Sequence, residues 1–236
     1  MFLNNAGLLI NLSSKNLISI SIMSKSILII GAGPGFSAGV AEKFGAEGYA
    51  VGLISRNEDK LQKMANDLKT KGITSHFVAA NAADSIELEQ AITELKTRLG
   101  GISVLFYNAA ALKTKDIWAE TPEELLEDFK LNVAHALYSS QILHEDLKNN
   151  QGAILLTGGS LARNPNPQYG SLALGKAGIL SLANQLSQRL KPDGIFVGTI
   201  TINGYIRPNS PTHSPKILAA KLWTLFQNRT NIEVQH

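Results

Sequence analysis

From residue 26 to residue 227, short unbroken apolar runs alternate with longer stretches in which apolar residues recur every three or four positions. The run Ile27-Leu28-Ile29-Ile30 predicts a buried strand, and residues 40–49 then have helical spacing, with Val40, Phe44 and small alanines on one side. The same reading predicts strands at 49–55, 75–80, 101–107, 153–157 and 195–202. Between them it predicts a charged helix at 57–71 with Leu61, Met64, Ala65 and Leu68 inward, and a helix at 86–98. One long helix at 122–147, a helix at 171–190 and a last helix at 215–227 complete the set. Leu218, Leu222, Trp223 and Phe226 of the last helix read as core or subunit contact. Strands and helices in strict alternation mean a parallel sheet covered on both faces. Repeats, low-complexity segments and linkers are absent, so residues 23–236 read as one domain.

The first 22 residues stand apart. Their apolar stretches at 8–12 and 17–22 are interrupted by Ser13, Ser14 and Lys15, which leaves no continuous span for a membrane helix. A basic leader region and a small-residue cleavage site are also missing, and Met23-Ser24-Lys25-Ser26 looks like a natural beginning. Residues 1–22 are therefore expected to be a poorly ordered extension or an upstream mis-start.

Composition narrows the function classes. The 236 residues carry a net charge of +3, dispersed along the chain, which argues against a nucleic-acid partner. With no cysteine there is neither a disulfide framework nor a thiolate metal site. His76, His135, His144, His213 and His236 are scattered without ligand spacing, so no metal is expected. A cytoplasmic location with no membrane association fits this composition.

The chemistry gathers at strand ends. Gly31, Gly33 and Gly35 follow the first strand directly and lead into a helix opening with Phe36 and Ser37. Glycines there let backbone N–H groups approach a pyrophosphate, and the helix N-terminus favours its charge. Further landmarks fall at the C-terminal ends of later strands: Ser55-Arg56-Asn57, Asn81-Ala82-Ala83-Asp84, Tyr107-Asn108-Ala109-Ala110 and the region 160–176. Open α/β sheets bind ligands at that edge.

In order and spacing, and with Asn132 in the long helix, these motifs resemble the short-chain dehydrogenase/reductase family over residues 26–206. The resemblance implies a Rossmann-type three-layer α/β sandwich with a doubly wound parallel sheet of six to seven strands. It also implies that Gly31, Gly33, Gly35, Phe36 and Ser37 hold the cofactor's phosphates. Ser37 replaces the family's last motif glycine, and its hydroxyl or N–H is available to a phosphate. Ser55 and Arg56 stand where an acidic residue would select NAD(H); a guanidinium suits a 2′-phosphate, so NADP(H) is preferred. The open alternative is that Arg56 is only a solvated surface charge. Asn81 and Ala82 match the position beside the adenine, and Asn108 and Ala109 the small-residue segment against the ribose. Gly204 and Ile206 match the segment that meets the nicotinamide carboxamide.

For catalysis the resemblance implies a tetrad of Asn132, Ser160, a tyrosine and Lys176. The lysine would lower the tyrosine's pKa and hold the nicotinamide ribose, while the asparagine would bend its helix and hold a relay water. Four residues ahead of Lys176, however, stands Leu172, which cannot transfer a proton. Tyr169 is one substitute: with an early helix start it shares a face with Leu172 and Lys176. Ser171 and Tyr107 are also within reach, and Tyr169 alternatively only packs over the loop 164–168. The segment 207–215 reads as a short, stiff lid over a small-molecule substrate. The expected function is an NADPH-dependent oxidoreductase on a small carbonyl or alcohol. The alternative is a catalytically impaired NADP(H)-binding sensor or partner subunit. A homodimer or homotetramer is expected through the helices 122–147 and 171–190, with Ala134, Leu137, Ile142, Ala177, Leu180 and Ala183 on the shared face. A seventh strand is expected to be short or missing.

Overall fold

The computed structural model describes residues 25–236, and the extension expected at 1–22 lies outside the described residues. The central strand β1 (Ser26–Ile30) is buried along its whole length. It pairs in parallel with β2 (Ala50–Ser55) on one side and β4 (Val104–Tyr107) on the other. With β3 (Ser75–Ala79), β5 (Ala153–Thr157), β6 (Phe196–Thr201) and β7 (Glu233–Gln235) it makes a seven-stranded sheet in the order β3-β2-β1-β4-β5-β6-β7. All neighbouring pairs are parallel. The near-continuous Ile/Leu/Val runs of β1, β4 and β5 follow from burial on both faces. The chain winds outward from β1 to β3, then returns to β4, so the topological switch lies between β1 and β4. Ile30 registers with Ile54 and Tyr107, and Tyr107 with Leu156, so the central strands end in one row. β7 is three residues long and seats Glu233 opposite Thr199.

Helices cover both faces. Against one lie α1 (Phe36–Ala46), α2 (Glu58–Thr70) and α8 (Pro215–Asn228), which bury Phe44, Leu61, Leu218, Leu222 and Phe226. The other carries α3 (Ser85–Leu99) and α7 (Gly170–Leu190), burying Ile92, Leu95, Ala183 and Leu186. Local chemistry sets the helix starts. Asn57 accepts from the Lys60 N–H, Asp84 from the Ile86 and Glu87 N–H groups, and Ser214 from the Ile217 N–H. None of the helices among the described residues is long and apolar enough to cross a membrane.

One expected element is divided. The stretch read as a single helix at 122–147 runs as α4 (Pro122–Phe129), a π-helical turn (Lys130–Ala134) and α5 (His135–Ile142), with α6 (His144–Asn149) after a break at Leu143. The π turn shifts the backbone pairing by one residue, and the Leu131 carbonyl accepts the Tyr107 hydroxyl at 2.6 Å. Periodicity alone does not register such a shift, because the apolar spacing continues through it. Ala183, expected on a subunit face, is fully buried against the sheet.

Candidate active site

The glycine turn is shaped by a close approach. Gly31 has φ +85°, and a Cβ there would lie 2.4 Å from the Ala109 backbone nitrogen. Its N–H and that of Ala32 donate to the Ile54 carbonyl at 3.0 Å, fastening the turn to the end of β2. Gly33 and Gly35 differ, since a Cβ on either would meet nothing within 4 Å. That turn leads into α1, which has no side-chain cap and no acidic residue in its first turn. The first N–H groups of a helix have no partner within it, so this end favours an anion. The Ser37 hydroxyl corrects one expectation. It accepts from the Gly33 N–H at 2.8 Å and donates to the Gly33 carbonyl at 3.1 Å, bracing the turn. The hydroxyl is therefore committed, and the N–H is what Ser37 can offer a phosphate.

Around this turn the other strand-end residues assemble. Arg56 is exposed directly after β2 and forms no ion pair among the described residues; Ser55 beside it is half-buried. Asn81 is held by its own turn, its N–H donating to Glu87 and its Oδ1 accepting from the Ala83 N–H. Ala82 is buried, and its carbonyl contacts His135 Nδ1 at 2.5 Å. Asn108 sits at the switch point. Its Nδ2 donates to the Gly31 carbonyl at 3.1 Å, and its Oδ1 accepts from Thr157 Oγ1 at 2.8 Å. An open turn, an uncapped helix and an unpaired guanidinium at the edge of one sheet fit a dinucleotide phosphate.

The second half of the site lies over β5 and α7. Lys176 Nζ donates to the Thr157 carbonyl at 2.8 Å, and burial without an acidic partner pulls its pKa down to about 8. A run of hydrogen bonds thus joins Lys176 through Thr157 and Asn108 to Gly31. Asn132 lies in the π turn, buried. Its Oδ1 accepts from the Ala111 N–H at 2.7 Å while its buried Nδ2 has no partner. A Cβ on Gly175 would lie 2.6 Å from that Nδ2, so only glycine at 175 lets α7 pass the asparagine. Asn132, Lys176, Thr157, Tyr107 and Leu172 line one small cavity together. The asparagine and lysine that the motifs separate by 44 positions are thus brought to one place.

The catalytic acid is where expectation and structure part. Leu172, where the resemblance implied a tyrosine, is buried at that cavity. The helix α7 begins at Gly170, one residue ahead of the start read from the sequence, and Tyr169 is its N-cap residue, with φ −126° and ψ 46°. The reason is a zipper to the loop after β4. Lys115 bridges Tyr169, the Ile117 N–H donates to the Pro167 carbonyl at 2.8 Å, and the Gly170 backbone lies against Ile117. Tyr169 is half-buried at the rim, hydrogen-bonded to the hydroxyl of Tyr205, which that bond holds above the ordinary tyrosine range. Of the other substitutes, Tyr107 is buried, donates to Leu131, and is pushed up by burial, which makes it a poor proton donor to a substrate. Ser171 is buried too, but lines a groove between α4 and the start of α7 with Leu125 and Leu174, apart from Lys176.

Ser160 opens a short turn (Ser160–Ala162) after β5, its N–H donating to the Ile202 carbonyl at 3.1 Å. Two devices here were missed in the sequence reading. Arg163 forms a bidentate pair with Glu233 at 2.8 and 2.7 Å, tying the Ser160 turn to β7. Thr157 carries the link between Lys176 and Asn108; its position at a strand end was the available signal. The loop after β6 places Gly204 against the His213 ring, exposes Tyr205 and Ile206, and closes on itself through Arg207 N–H to the His213 carbonyl. A wide surface depression lies elsewhere, between α2, β3 and α3, away from the strand ends that carry these residues.

Comparison with known proteins agrees with this geometry. The short chain dehydrogenase family model matches residues 25–211. The 3-oxoacyl-[acyl-carrier-protein] reductase FabG of Staphylococcus epidermidis is 26% identical over 180 residues, covering 75% of this chain and 74% of the relative. A probable galactose dehydrogenase, GalD, of Rhizobium meliloti is 26% identical over 181 residues, 76% of this chain and 71% of its own. Among solved structures, a short chain dehydrogenase from Burkholderia cenocepacia in complex with NADP superposes with a TM-score of 0.81 at 20% identity, covering 89% of this chain and 95% of that one. The seven-stranded sheet, the glycine turn at its switch point and the Asn132–Lys176 pairing on it belong together: this chain is a member of the short-chain dehydrogenase family, a family of oxidoreductases.

Proposed function

We propose that the chain is an NADPH-dependent oxidoreductase acting on a small carbonyl or alcohol. The observation that carries the reading is the open glycine turn running into an uncapped helix, with the unpaired Arg56 at the adjoining strand end. Gly31 and Gly33, whose own N–H groups are spent inside the turn, shape it against the pyrophosphate, Gly35, Phe36 and Ser37 offer it their backbone N–H groups, and Ser55 and Arg56 take the 2′-phosphate. Asn81 and Ala82 border the adenine. Asn108 and Ala109 back the ribose, and Gly204 and Ile206 border the nicotinamide, which supplies or accepts the hydride when bound.

The chain's own residues then do the rest. Ser160 orients the substrate oxygen, Lys176 holds the ribose, and Asn132 offers its unpartnered Nδ2 to the proton path. Tyr169 supplies the proton at the rim in place of the residue lost at 172. The alternative, a binding protein with impaired catalysis, keeps one observation in its favour, the apolar Leu172 beside Lys176. Self-association uses the outward face of α4 and α7, where Leu126, Phe129, Leu174 and Ala177 are exposed.

Fluorescence titration with NADPH and NADH tests the reading. Arg56→Ala is expected to weaken NADPH at least tenfold, about 1.4 kcal/mol, and to leave NADH unchanged. Equal weakening of both nucleotides overturns the assignment of Arg56. Absence of binding to either one overturns the enzyme reading.

A further inference from the structure

Resting on the reading above, that the cleft takes a carbonyl or alcohol beside the nucleotide, we propose that the substrate is apolar: an alkyl or aryl ketone or aldehyde. The mouth of the cleft is made by the loop after β4, the entry to α7 and the loop after β6. They are sewn together by the Lys115–Tyr169 bridge, the Ile117–Pro167 hydrogen bond and the Tyr169–Tyr205 hydroxyl pair. On these segments large apolar side chains stand in water. Trp118 is 95% exposed, Leu112 79% and Tyr205 75%, with Ile117 and Ile206 beside them. Leu172 gives the cavity at Lys176 an apolar wall. A cluster of exposed large apolar groups at the entrance to a polar site marks a surface that something apolar covers.

The polar groups of the same segments are already spent on one another. Lys113 is paired with Glu120 and Asp128, Lys115 with Glu124, and Asp116 accepts from Gln168 and from the Trp118 N–H. Beside these pairs stand the Ser160 hydroxyl, the Tyr169 and Tyr205 hydroxyls bonded to each other, and the unpartnered His213 Nε2, enough for one carbonyl oxygen and too few for a sugar or polyol, whose every hydroxyl needs a partner when buried. Arg207 lies near Tyr205 and is exposed, forming no ion pair among the described residues. An anionic substrate would be held there, so the test includes one.

The experiment measures kcat/KM at saturating NADPH for the straight-chain methyl ketones from 2-butanone to 2-octanone, with dihydroxyacetone and pyruvate as polar and anionic probes. Alongside it, the blue shift of tryptophan emission on adding 2-octanol is followed in the protein alone. Each added methylene is expected to raise kcat/KM by about three- to fourfold through KM. Trp118→Ala is expected to flatten that slope and abolish the blue shift, with NADPH affinity unchanged. A flat or falling series, or a preference for dihydroxyacetone, overturns the inference. So does a preference for pyruvate that Arg207→Ala removes, or a Trp118→Ala variant that changes subunit number and leaves the slope intact. If the chain binds no NADPH but 2-octanol still shifts the Trp118 emission to the blue, the reductase reading fails and the apolar mouth stands. If NADPH binds and the series is flat, only the present inference fails.

Discussion

At the glycine turn Ser37 stands where the resemblance implied a glycine, and at the entry to α7 Leu172 stands where it implied a tyrosine. The first change is absorbed: the Ser37 hydroxyl closes on Gly33 and occupies its N–H, while no side chain caps the N–H groups that open α1. The second puts an apolar side chain beside the lysine, and the hydroxyls that line the Lys176 cavity are those of Tyr107, whose proton is given to Leu131, and Thr157, whose proton is given to Asn108. The difference lies in what carries the function. Phosphate binding is done by backbone dipoles, which tolerate a change of side chain provided the path of the chain survives. Proton transfer is done by one side-chain atom, and no backbone geometry replaces it.

The largest test of this contrast restores the missing atom. Leu172→Tyr places a hydroxyl on the face of α7 that carries Lys176, and kcat is expected to rise about 10²-fold with little change in NADPH affinity. Tyr169→Phe is expected to lower kcat in the parent chain by a similar factor of about 10² and to lose most of that effect in the Leu172→Tyr background. Single-turnover rates at saturating NADPH read both. An unchanged rate in Tyr169→Phe would move the proton source to a water on Asn132.

The backbone half breaks differently at two of its glycines. Gly31→Ala combines a positive φ with a Cβ 2.4 Å from the Ala109 nitrogen, and is expected to cost about 3 kcal/mol of folding stability. Gly33→Ala meets nothing within 4 Å, so urea unfolding should be unaltered while NADPH binding weakens. Equal loss of stability in both variants would mean that the turn is only a turn, and that its open face does nothing.

How much of this was legible beforehand follows the same division. The sheet, its parallel sense and the position of the glycine turn were readable because buried runs such as 27–30 and glycines at fixed spacing are local properties. The pairing of Asn132 with Lys176 was readable only through the family resemblance, since nothing local joins positions 44 apart. The π turn, the zipper from Lys115 to Tyr169 and the Arg163–Glu233 clasp were not readable. Each depends on which distant segment lies opposite, and a residue such as Arg163 has the same local signature whether solvated or paired. The place of Tyr169 at the N-cap was hidden for the same reason: the loop after β4 fixes where α7 begins, and the i, i+3 spacing carries no trace of it.

The smallest expected effect concerns the residue shared by both halves. Lys176 reaches the glycine turn through Thr157 and Asn108, and it reaches the catalytic cavity directly. Burial lowers its pKa from 10.5 to about 8, so charging it opposes folding. Below pH 8 the lysine is protonated folded or unfolded, and the full cost of the buried charge is present. Between pH 8 and 10.5 the unfolded chain holds more of this proton than the folded one, so stability contributed by this residue rises with pH; above that window the gain is complete. Urea midpoints of the parent chain and of Lys176→Met, measured from pH 7.5 to 10, should therefore converge or cross as pH rises, because the methionine carries no such proton. Parallel curves would mean that the ammonium is solvated. The lysine would then not be the rigid joint between the two halves, and an apolar Leu172 beside it would have no bearing on its charge.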